Sequence, residues 1–323
     1  MPAIFIENLT KDFPVGFWRP KPYRALDNLS LSIAPGEVFG FLGPNGAGKT
    51  TTLKLLMQLI YPTSGRAEIL GKPAGDVSVK RRIGYLPESP YFYDHLTAEE
   101  LLGYFASLMG YSRVDRRARV TAVLDQVGIG GERRMQLRKF SKGMLQRVGV
   151  AQAIFHDPEV VFLDEPMSGL DPLGRRDVRN LILGLRDRGC TVFFSSHVLS
   201  DAEALCSRVA ILAGGSLVSA GALADVRAFK ARGWELVVSA VSAEMLDRHR
   251  TRIQRITPIA DRRYALELPL EPDPDLLLRE LIDGGAKLVS LNPVRSTLED
   301  YFVELVKQHP GRRKDDVKPG SAI

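Results

Sequence analysis

A glycine-rich segment that follows a short apolar run is the feature that most constrains the fold of this chain. The segment reads Gly43-Pro44-Asn45-Gly46-Ala47-Gly48-Lys49-Thr50-Thr51 and matches the phosphate-loop pattern G-x-x-x-x-G-K-[ST]. The apolar run 38–42 precedes it, and a helix-like run, 52–57, follows it. In that strand, loop and helix order, backbone N–H groups and the positive end of the helix dipole surround phosphate oxygens. The sequence therefore predicts an α/β fold that binds a nucleoside triphosphate at this loop.

Two side chains of the loop are expected to carry chemistry. Lys49 can reach the β- and γ-phosphates, and the hydroxyl of Thr50 can ligate Mg²⁺. The other residues of the loop, Gly43 to Gly48 and Thr51, are expected to bind the phosphates, with the backbone N–H groups as donors. A chance glycine-rich turn is the alternative, and the strand-like and helix-like flanks make it rare.

A second acidic element follows the apolar run 160–163 and consists of Asp164 and Glu165. An aspartate at the end of a buried strand can hold Mg²⁺, generally through water, beside a triphosphate. The carboxylate after it is placed to take a proton from an attacking water molecule. Asp164 alone could be a helix cap, but the upstream phosphate loop favours the metal site.

Strand-like and helix-like segments alternate around these two elements. Apolar runs at 160–163 and 191–194 are typical of buried parallel strands, and helical patterns around 145–155 and 175–188 separate them. Residues 98–127 look predominantly helical, and 14–22 are predicted to be a loop because three prolines interrupt them. This order indicates a layered α/β ATPase core.

Composition excludes several other classes of protein. The 323 residues contain no apolar run near the ~20 residues that span a bilayer, and the N-terminus shows no secretory signal. Cys190 and Cys206 have no disulfide or metal spacing, so we expect buried, reduced thiols. The net charge is +6, and arginines are dense between 113 and 139. These lack interleaved aromatic residues, so a solvated helix surface is favoured over a nucleic-acid interface.

Further motifs make the chain resemble the ATP-binding cassette (ABC) family, the nucleotide-binding subunits of ABC transporters. The glycine-rich loop and Asp164-Glu165 resemble its Walker A and Walker B motifs. Residues 140–147, Phe-Ser-Lys-Gly-Met-Leu-Gln-Arg, resemble the family signature, 168–171 resemble the D-loop, and His197 resembles the switch histidine. The resemblance covers about residues 3 to 220, with every motif in the expected order.

The resemblance implies ATP and Mg²⁺ as ligands and a dimer in which two chains sandwich two ATP molecules. Catalysis would then depend on Glu165, with His197 bonding the γ-phosphate or the attacking water. The signature and D-loop residues would contact the ATP held by the other subunit; they are Ser141, Lys142, Gly143 and Asp171. Ser141 and Gly143 precede a helix, which suits an anion site. Lys142 and Met144-Leu145 depart from the usual small and polar residues of the signature.

Two positions of the nucleotide site differ from the family pattern or leave alternatives. Glu88 stands where the Q-loop glutamine is usual; it could still approach Mg²⁺ and water, and we expect altered metal or pH dependence. The aromatic residue that stacks on adenine is best matched by Phe13. Phe17, Trp18 and Tyr23 are the alternatives.

The chain is expected to have two folded parts. Residues 1–220 would form the ABC domain, with an antiparallel β subdomain and a helical subdomain at about 89–155. Residues 221–308 would form a small α+β accessory domain, compatible with a βαββαβ order and closed by a helix within 296–307. Residues 309–323 are expected to be a disordered tail.

The resulting functional hypothesis is an ATPase subunit at the cytoplasmic face of the membrane that drives a separate permease. The resemblance to the branch that partners ABC-2-type permeases implies export, with a second cassette that is identical or a paralogue. The permease would dock at about 89–139, where 91–93 offer aromatic side chains that suit an interface or core packing equally. The alternative is an ATP-driven clamp on ribosomes or DNA, against which stand the single cassette and the lack of a coiled-coil insertion. A small-molecule kinase lacks an acceptor-pocket signature.

Overall fold

The computed structural model of the protein describes residues 1–16, 21–224, 231–271 and 273–295. The described chain divides into two compact units after Leu223. None of the helices within these ranges is long and apolar enough to cross a membrane.

The first unit is built on a ten-stranded sheet with the order β5-β4-β1-β2-β10-β9-β3-β8-β7-β6. The strands are β1 Ile4–Val15, β2 Lys21–Ile33, β3 Val38–Leu42, β4 Ser64–Ile69, β5 Lys72–Pro73, β6 Ile83–Leu86, β7 Val160–Asp164, β8 Thr191–Ser196, β9 Arg208–Ala213 and β10 Ser216–Ala222. Strands β1, β2, β4 and β5 pair antiparallel, whereas β9, β3, β8, β7 and β6 pair parallel.

The parallel part of the sheet is the buried core that carries the site. Every residue of β3, β7 and β8 is buried, as expected for parallel strands covered on both faces. The ring of Phe193 packs against Phe39, Phe41 and Phe162 of the neighbouring strands, at centroid distances of 5.1–5.8 Å. The carboxyl ends of β3, β7 and β8 therefore meet at one edge of a rigid layer.

Seven helices of the first unit are described: α1 Lys49–Leu56, α2 Val77–Lys80, α3 Ala98–Leu108, α4 Arg113–Gln126, α5 Lys142–Ile154, α6 Pro172–Asp187 and α7 Leu199–Leu205. The predicted helical stretch 98–127 is two helices, because Gly110 has φ +83° and Ser112 caps the N-terminus of α4. A capping box of Thr97 and Glu100 begins α3. Arg119 of α4 donates to the carbonyls of Ile154 and Phe155 at the end of α5.

The predicted loop at 14–22 is wrong at both ends, because β1 continues through Pro14 and β2 through Pro22. Pro14 pairs with Pro22, and Val15 with Lys21. Within the described ranges, β4 pairs with β1 only as far as Thr10, so no described strand lies on the far side of β1 at this end of the hairpin. Proline is tolerated where no ladder hydrogen bond is needed from its nitrogen.

The second unit is a four-stranded antiparallel sheet with the order β12-β13-β11-β14. Its elements are β11 Ala231–Ser239, α8 Ala243–Arg248, β12 Arg255–Ala260, β13 Arg263–Pro269, α9 Asp275–Asp283 and β14 Lys287–Arg295. Leu236, Val238 and Leu266 of the sheet pack with Leu277 and Leu281 of α9 in its core. The order is β-α-β-β-α-β. The closing helix expected within 296–307 and the tail expected at 309–323 lie outside the described residues.

Candidate nucleotide site

The phosphate loop joins the end of β3 to the start of α1, and its glycines are required by its geometry. Gly46 and Gly48 have φ values of +82° and +104°, which side chains rarely tolerate. A Cβ at Gly43 would lie 2.6 Å from the carbonyl oxygen of Leu212, and one at Gly48 would lie 2.7 Å from that of Ala25. A Cβ at Gly46 would meet open space instead. The loop is thus wedged against the sheet on one side and open on the other.

Lys49 is held inside this loop rather than in solvent. Its side chain is 6% exposed, and its Nζ donates to the carbonyl of Gly43 at 2.7 Å and lies 3.1 Å from Oε1 of Glu165. Glu165 is equally buried, at 7%. The ammonium group therefore lies between the phosphate loop and the acidic end of β7, where a bound γ-phosphate would be within its reach.

Asp164 is fully buried at the end of β7 and has one oxygen left for a ligand. The hydroxyl of Ser195 donates to its Oδ1 at 2.6 Å, while Oδ2 is buried without a hydrogen-bond partner among the described residues. Burial raises the pKa of Asp164, and the nearby hydroxyls of Ser195 and Thr50 partly offset that rise. An unshared carboxylate oxygen beside the Thr50 hydroxyl fits a hard cation such as Mg²⁺.

A metal ion at this point would need ligands from outside the protein. Among the described residues, no group of three or more His, Cys, Asp or Glu side chains is close enough to hold a metal ion. Mg²⁺ is usually held by one or two carboxylates together with water and phosphate oxygens, so Thr50 and Asp164 would supply part of its ligands.

Glu165 is oriented by three neighbours. Its backbone has φ +50°, and its N–H donates to the hydroxyl of Ser195 at 2.9 Å. Its Oε2 lies 2.8 Å from Nδ1 of His197, while Oε1 faces Lys49. The His197 side chain is 41% exposed. The pair has the geometry of a base held by an orienting group.

The cleft beside the loop has a volume of about 420 Å³. Glu88 and Glu165 line it, and so do Phe13 and Tyr23, which are direct partners on β1 and β2. Two of the four aromatic candidates for adenine stacking are therefore side by side at one cleft, and Phe17 and Trp18 lie outside the described residues. Burial, with the negative charges of Asp164 and Glu88, raises the pKa of Tyr85 to about 12.

The signature and D-loop residues lie apart from this cleft. Ser141 caps the N-terminus of α5, and its Oγ accepts from Met144 N at 3.2 Å. Asp171 caps α6 in the same way, accepting from Gly174 N at 2.9 Å. Neither of these caps is among the described residues that line the cleft, and nor are Lys142 and Gly143. Ser141, Lys142 and Asp171 are exposed.

Sequence reasoning missed Ser195, whose hydroxyl connects the two acidic residues by donating to Asp164 and accepting from Glu165 N. The available signal was a pair of serines at the end of the apolar run 191–194. Its meaning depends on β8 lying beside β7 with Asp164 opposite Ser195, which the sequence does not specify.

The core is a parallel sheet with a phosphate loop at the end of one strand and a buried Asp-Glu pair at the end of another. These features define a P-loop ATPase. A family model described as "ABC transporter" matches residues 26–168. An uncharacterized ABC transporter ATP-binding protein of Synechocystis sp. is 45% identical over 302 residues, covering 93% of this chain and 83% of that protein. The bacitracin transport ATP-binding protein BcrA of Bacillus licheniformis is 35% identical, with 88% of this chain and 92% of that protein covered.

A solved dimeric ATP-binding cassette bound to ADP and Pi has a TM-score of 0.62 to this structure at 26% identity, covering 68% of this chain and 98% of that one. The chain belongs to the ATP-binding subunits of ABC transporters. The predicted fold class, family and ATPase activity are confirmed. These matches give no support to a clamp on ribosomes or DNA.

Proposed function

We propose that this chain hydrolyses MgATP within a closed pair of cassettes and thereby drives export through a separate ABC-2-type permease. The observation that carries the proposal is the separation of the site into two halves. The phosphate loop and Glu165 line one cleft, while the exposed helix caps Ser141 and Asp171 lie outside it. A second cassette that presents its own caps to this cleft would complete the site, as the dimeric form of the related cassette suggests.

Within the cleft, one group of residues would bind the triphosphate and neutralise its charge. Lys49 would exchange the carbonyl of Gly43 for phosphate oxygens, which are stronger partners for an ammonium group. Thr50 and Asp164 would hold Mg²⁺, which supplies charge neutralisation at the β- and γ-phosphates. Glu88 lies at the same cleft and would add a negative charge where the family pattern has a neutral amide.

Glu165 and His197 form the pair of residues that would carry out hydrolysis. When phosphate draws Lys49 away, Oε1 of Glu165 loses its ion-pair partner and becomes available to accept a proton from water. His197 keeps Oε2 oriented through the 2.8 Å contact at Nδ1. Its other ring nitrogen would then bond the γ-phosphate or the attacking water.

The helical region between Glu88 and the signature offers a surface for the permease. Tyr91 is 96% exposed and Tyr93 58%, and α3 adds exposed Tyr104 and Leu108 one turn apart. Exposed aromatic anchors of this kind favour protein interfaces. Of the predicted aromatic triplet, Phe92 is half-buried, so only its two tyrosines are offered to a partner. Because no helix of the described residues can cross a membrane, attachment at the cytoplasmic face would rest on this partner.

The test is affinity purification of the Glu165→Gln variant from detergent-solubilised native membranes in the presence of ATP and Mg²⁺. The variant should slow hydrolysis and trap the closed pair, and we expect a multi-span membrane protein to be recovered with it. The matched control, Lys49→Ala, should lose ATP-dependent recovery because the triphosphate is no longer held. Recovery of ribosomes or DNA in place of a membrane protein would overturn the proposal.

A further inference from the structure

Two contacts connect the D-loop, residues 168–171, to the start of α6. Asp171 caps the N-terminus of the helix, and Arg175 of the helix contacts the loop. Gly169 has φ +68°, a left-handed conformation that glycine adopts readily, and the turn is closed by backbone hydrogen bonds from Ser168 N to Glu165 O and from Leu170 N to Met167 O. Arg175, one turn into α6, donates from its Nε to the carbonyl of Leu170 at 3.3 Å. The guanidinium group of Arg175 thus holds the loop from the helix that follows it.

The same guanidinium also reaches the segment that follows the switch histidine. Nη1 of Arg175 lies 3.8 Å from Oδ1 of Asp201 on α7, whose side chain is 4% exposed. Burial raises the pKa of Asp201, and the charges of Arg175, Arg179 and His197 lower it while Glu165 raises it. A carboxylate so buried requires a partner, because an unpaired buried charge is strongly destabilising.

We infer that Arg175 is a positioning residue that joins the D-loop to the Glu165–His197 pair through Asp201. Arg175 sets the distance between the Leu170 carbonyl and α7, and α7 begins two residues after His197. A displacement of the D-loop at the cassette interface is thereby transmitted to the imidazole that orients the catalytic base. This role rests on the proposed function, namely hydrolysis in a closed pair of cassettes.

Arginine suits this position because its planar fork presents several donors in fixed directions. One group can therefore bond a backbone carbonyl and a carboxylate simultaneously. A lysine at 175 would keep the positive charge beside Asp201, but its donors all lie on one nitrogen at the end of a flexible chain, so we expect it to retain the ion pair and lose the connection to Leu170. The Arg175→Lys variant therefore separates the effect of the positive charge beside Asp201 from the effect of the contact with the Leu170 carbonyl.

A matched control exists elsewhere in the same unit. Arg208 on β9 pairs with Glu37, whose side chain is 8% exposed, at 3.1 Å, and also donates to the carbonyl of Ser32 at 3.4 Å. Both sites combine one half-exposed arginine, one buried carboxylate and one carbonyl, although Arg208 also lies over the ring of Phe39, 5.6 Å from its centroid, and its carboxylate contact is shorter. Neither Arg208 nor Glu37 is among the described residues that line the nucleotide cleft, so Arg208→Ala reports the structural effect of losing such a pair.

The experiment compares steady-state ATPase activity, ATP affinity and thermal midpoints of full-length wild-type chain with Arg175→Ala, Arg175→Lys, Asp201→Asn and Arg208→Ala. We expect Arg175→Ala to lower kcat at least about tenfold while KM for ATP changes less than about threefold, because Arg175 is not among the described residues that line the nucleotide cleft and its loss should disturb the Glu165–His197 pair more than ATP binding. Arg175→Lys should recover the thermal midpoint but not kcat. Arg208→Ala should lose thermal stability and keep its kcat.

Asp201→Asn is nearly isosteric and keeps the variant set informative if Arg175→Ala does not fold. Its kcat should fall, and the double variant Arg175→Lys/Asp201→Asn should be no worse than the more impaired single variant, since both remove one connection. The inference would be overturned if Arg175→Lys and Asp201→Asn both kept the wild-type kcat. It would also be overturned if Arg208→Ala lost as much kcat as Arg175→Ala does. Either result would leave the proposed function standing. A wild-type chain that neither binds nor hydrolyses ATP would overturn both.

Discussion

Replacing Ser195 with alanine should destabilise the nucleotide-binding unit far more than the removal of one exposed hydroxyl would. The hydroxyl donates to Asp164 at 2.6 Å and accepts from Glu165 N at 2.9 Å. Ser195 and Asp164 are both 0% exposed, so water does not replace the lost partner without rearrangement. A hydrogen bond to a charged group contributes about 1.5–3 kcal/mol and a neutral one about 1 kcal/mol, so we expect a loss of about 3 kcal/mol.

That loss should be visible as a lower thermal midpoint. For a unit of this size, 1 kcal/mol shifts the midpoint by about 2–4 °C, so about 3 kcal/mol corresponds to about 6–12 °C. The assay is thermal unfolding of the full-length chain by circular dichroism without nucleotide, with hydrogen exchange at the Glu165 amide as a local readout. Faster exchange there should accompany the lower midpoint, and kcat should fall because Glu165 loses its backbone anchor.

Ser196→Ala is the matched control, since the neighbouring hydroxyl is also buried but bonds only within its own turn. Its Oγ accepts from Val198 N at 2.9 Å and donates to Val198 O at 3.2 Å. We expect a loss of about 2 kcal/mol, about 1 kcal/mol for each neutral hydrogen bond. If the two serine variants unfold at the same temperature, the Ser195 hydroxyl does not stabilise the acidic pair and the reasoning is refuted.

Three further predictions concern the same cleft. Asp164→Asn should abolish hydrolysis yet raise the thermal midpoint of the nucleotide-free chain at neutral pH. Burial raises the pKa of Asp164 in the folded state, so the wild-type chain loses stability as pH rises through that pKa. The asparagine does not ionise and avoids this loss. The gain should shrink as pH falls towards 4, and a variant less stable than wild type at pH 7 and 8 would contradict this. Glu88→Gln should shift the Mg²⁺ and pH dependence of ATPase activity, and profiles identical to wild type would count against a role for that carboxylate. Phe13→Ala should weaken binding of a fluorescent ATP analogue about tenfold, more than Tyr23→Ala; the reverse order would assign the stacking to Tyr23.

The phosphate loop was predictable because all its requirements are local. Left-handed glycines, a preceding apolar strand and a following helix lie within a single continuous stretch, 38–57, so the pattern in the sequence is also the pattern in space. The Asp-Glu pair was predictable for the same reason. For residues 221–308 the sequence was only compatible with a βαββαβ order, and the edge strand β12 contains a proline, Pro258, which weakens a strand pattern.

The ends of the β1–β2 hairpin were not predictable from composition. Prolines usually mark a loop, and whether Pro14 and Pro22 interrupt a strand depends on whether a third strand needs their missing N–H groups. That depends on how far β4 extends along β1, which is a property of the assembled sheet. The exposure of Tyr91 and Tyr93 was left open for a similar reason, since only packing distinguishes a core aromatic residue from a surface one.

Local patterns in the sequence were enough to predict a phosphate-binding loop and an acidic strand end, and with them the binding of a nucleoside triphosphate; the family resemblance added that the nucleotide is ATP. Tertiary structure alone decided which partners complete that chemistry. Ser195 meets Asp164 only because β8 is the neighbour of β7, and Arg175 meets Asp201 only because α6 and α7 pack together. These contacts join residues 26–31 positions apart, and no local pattern encodes them. Their physical cause is the burial of apolar strands, which brings distant polar ends together at one edge of the sheet.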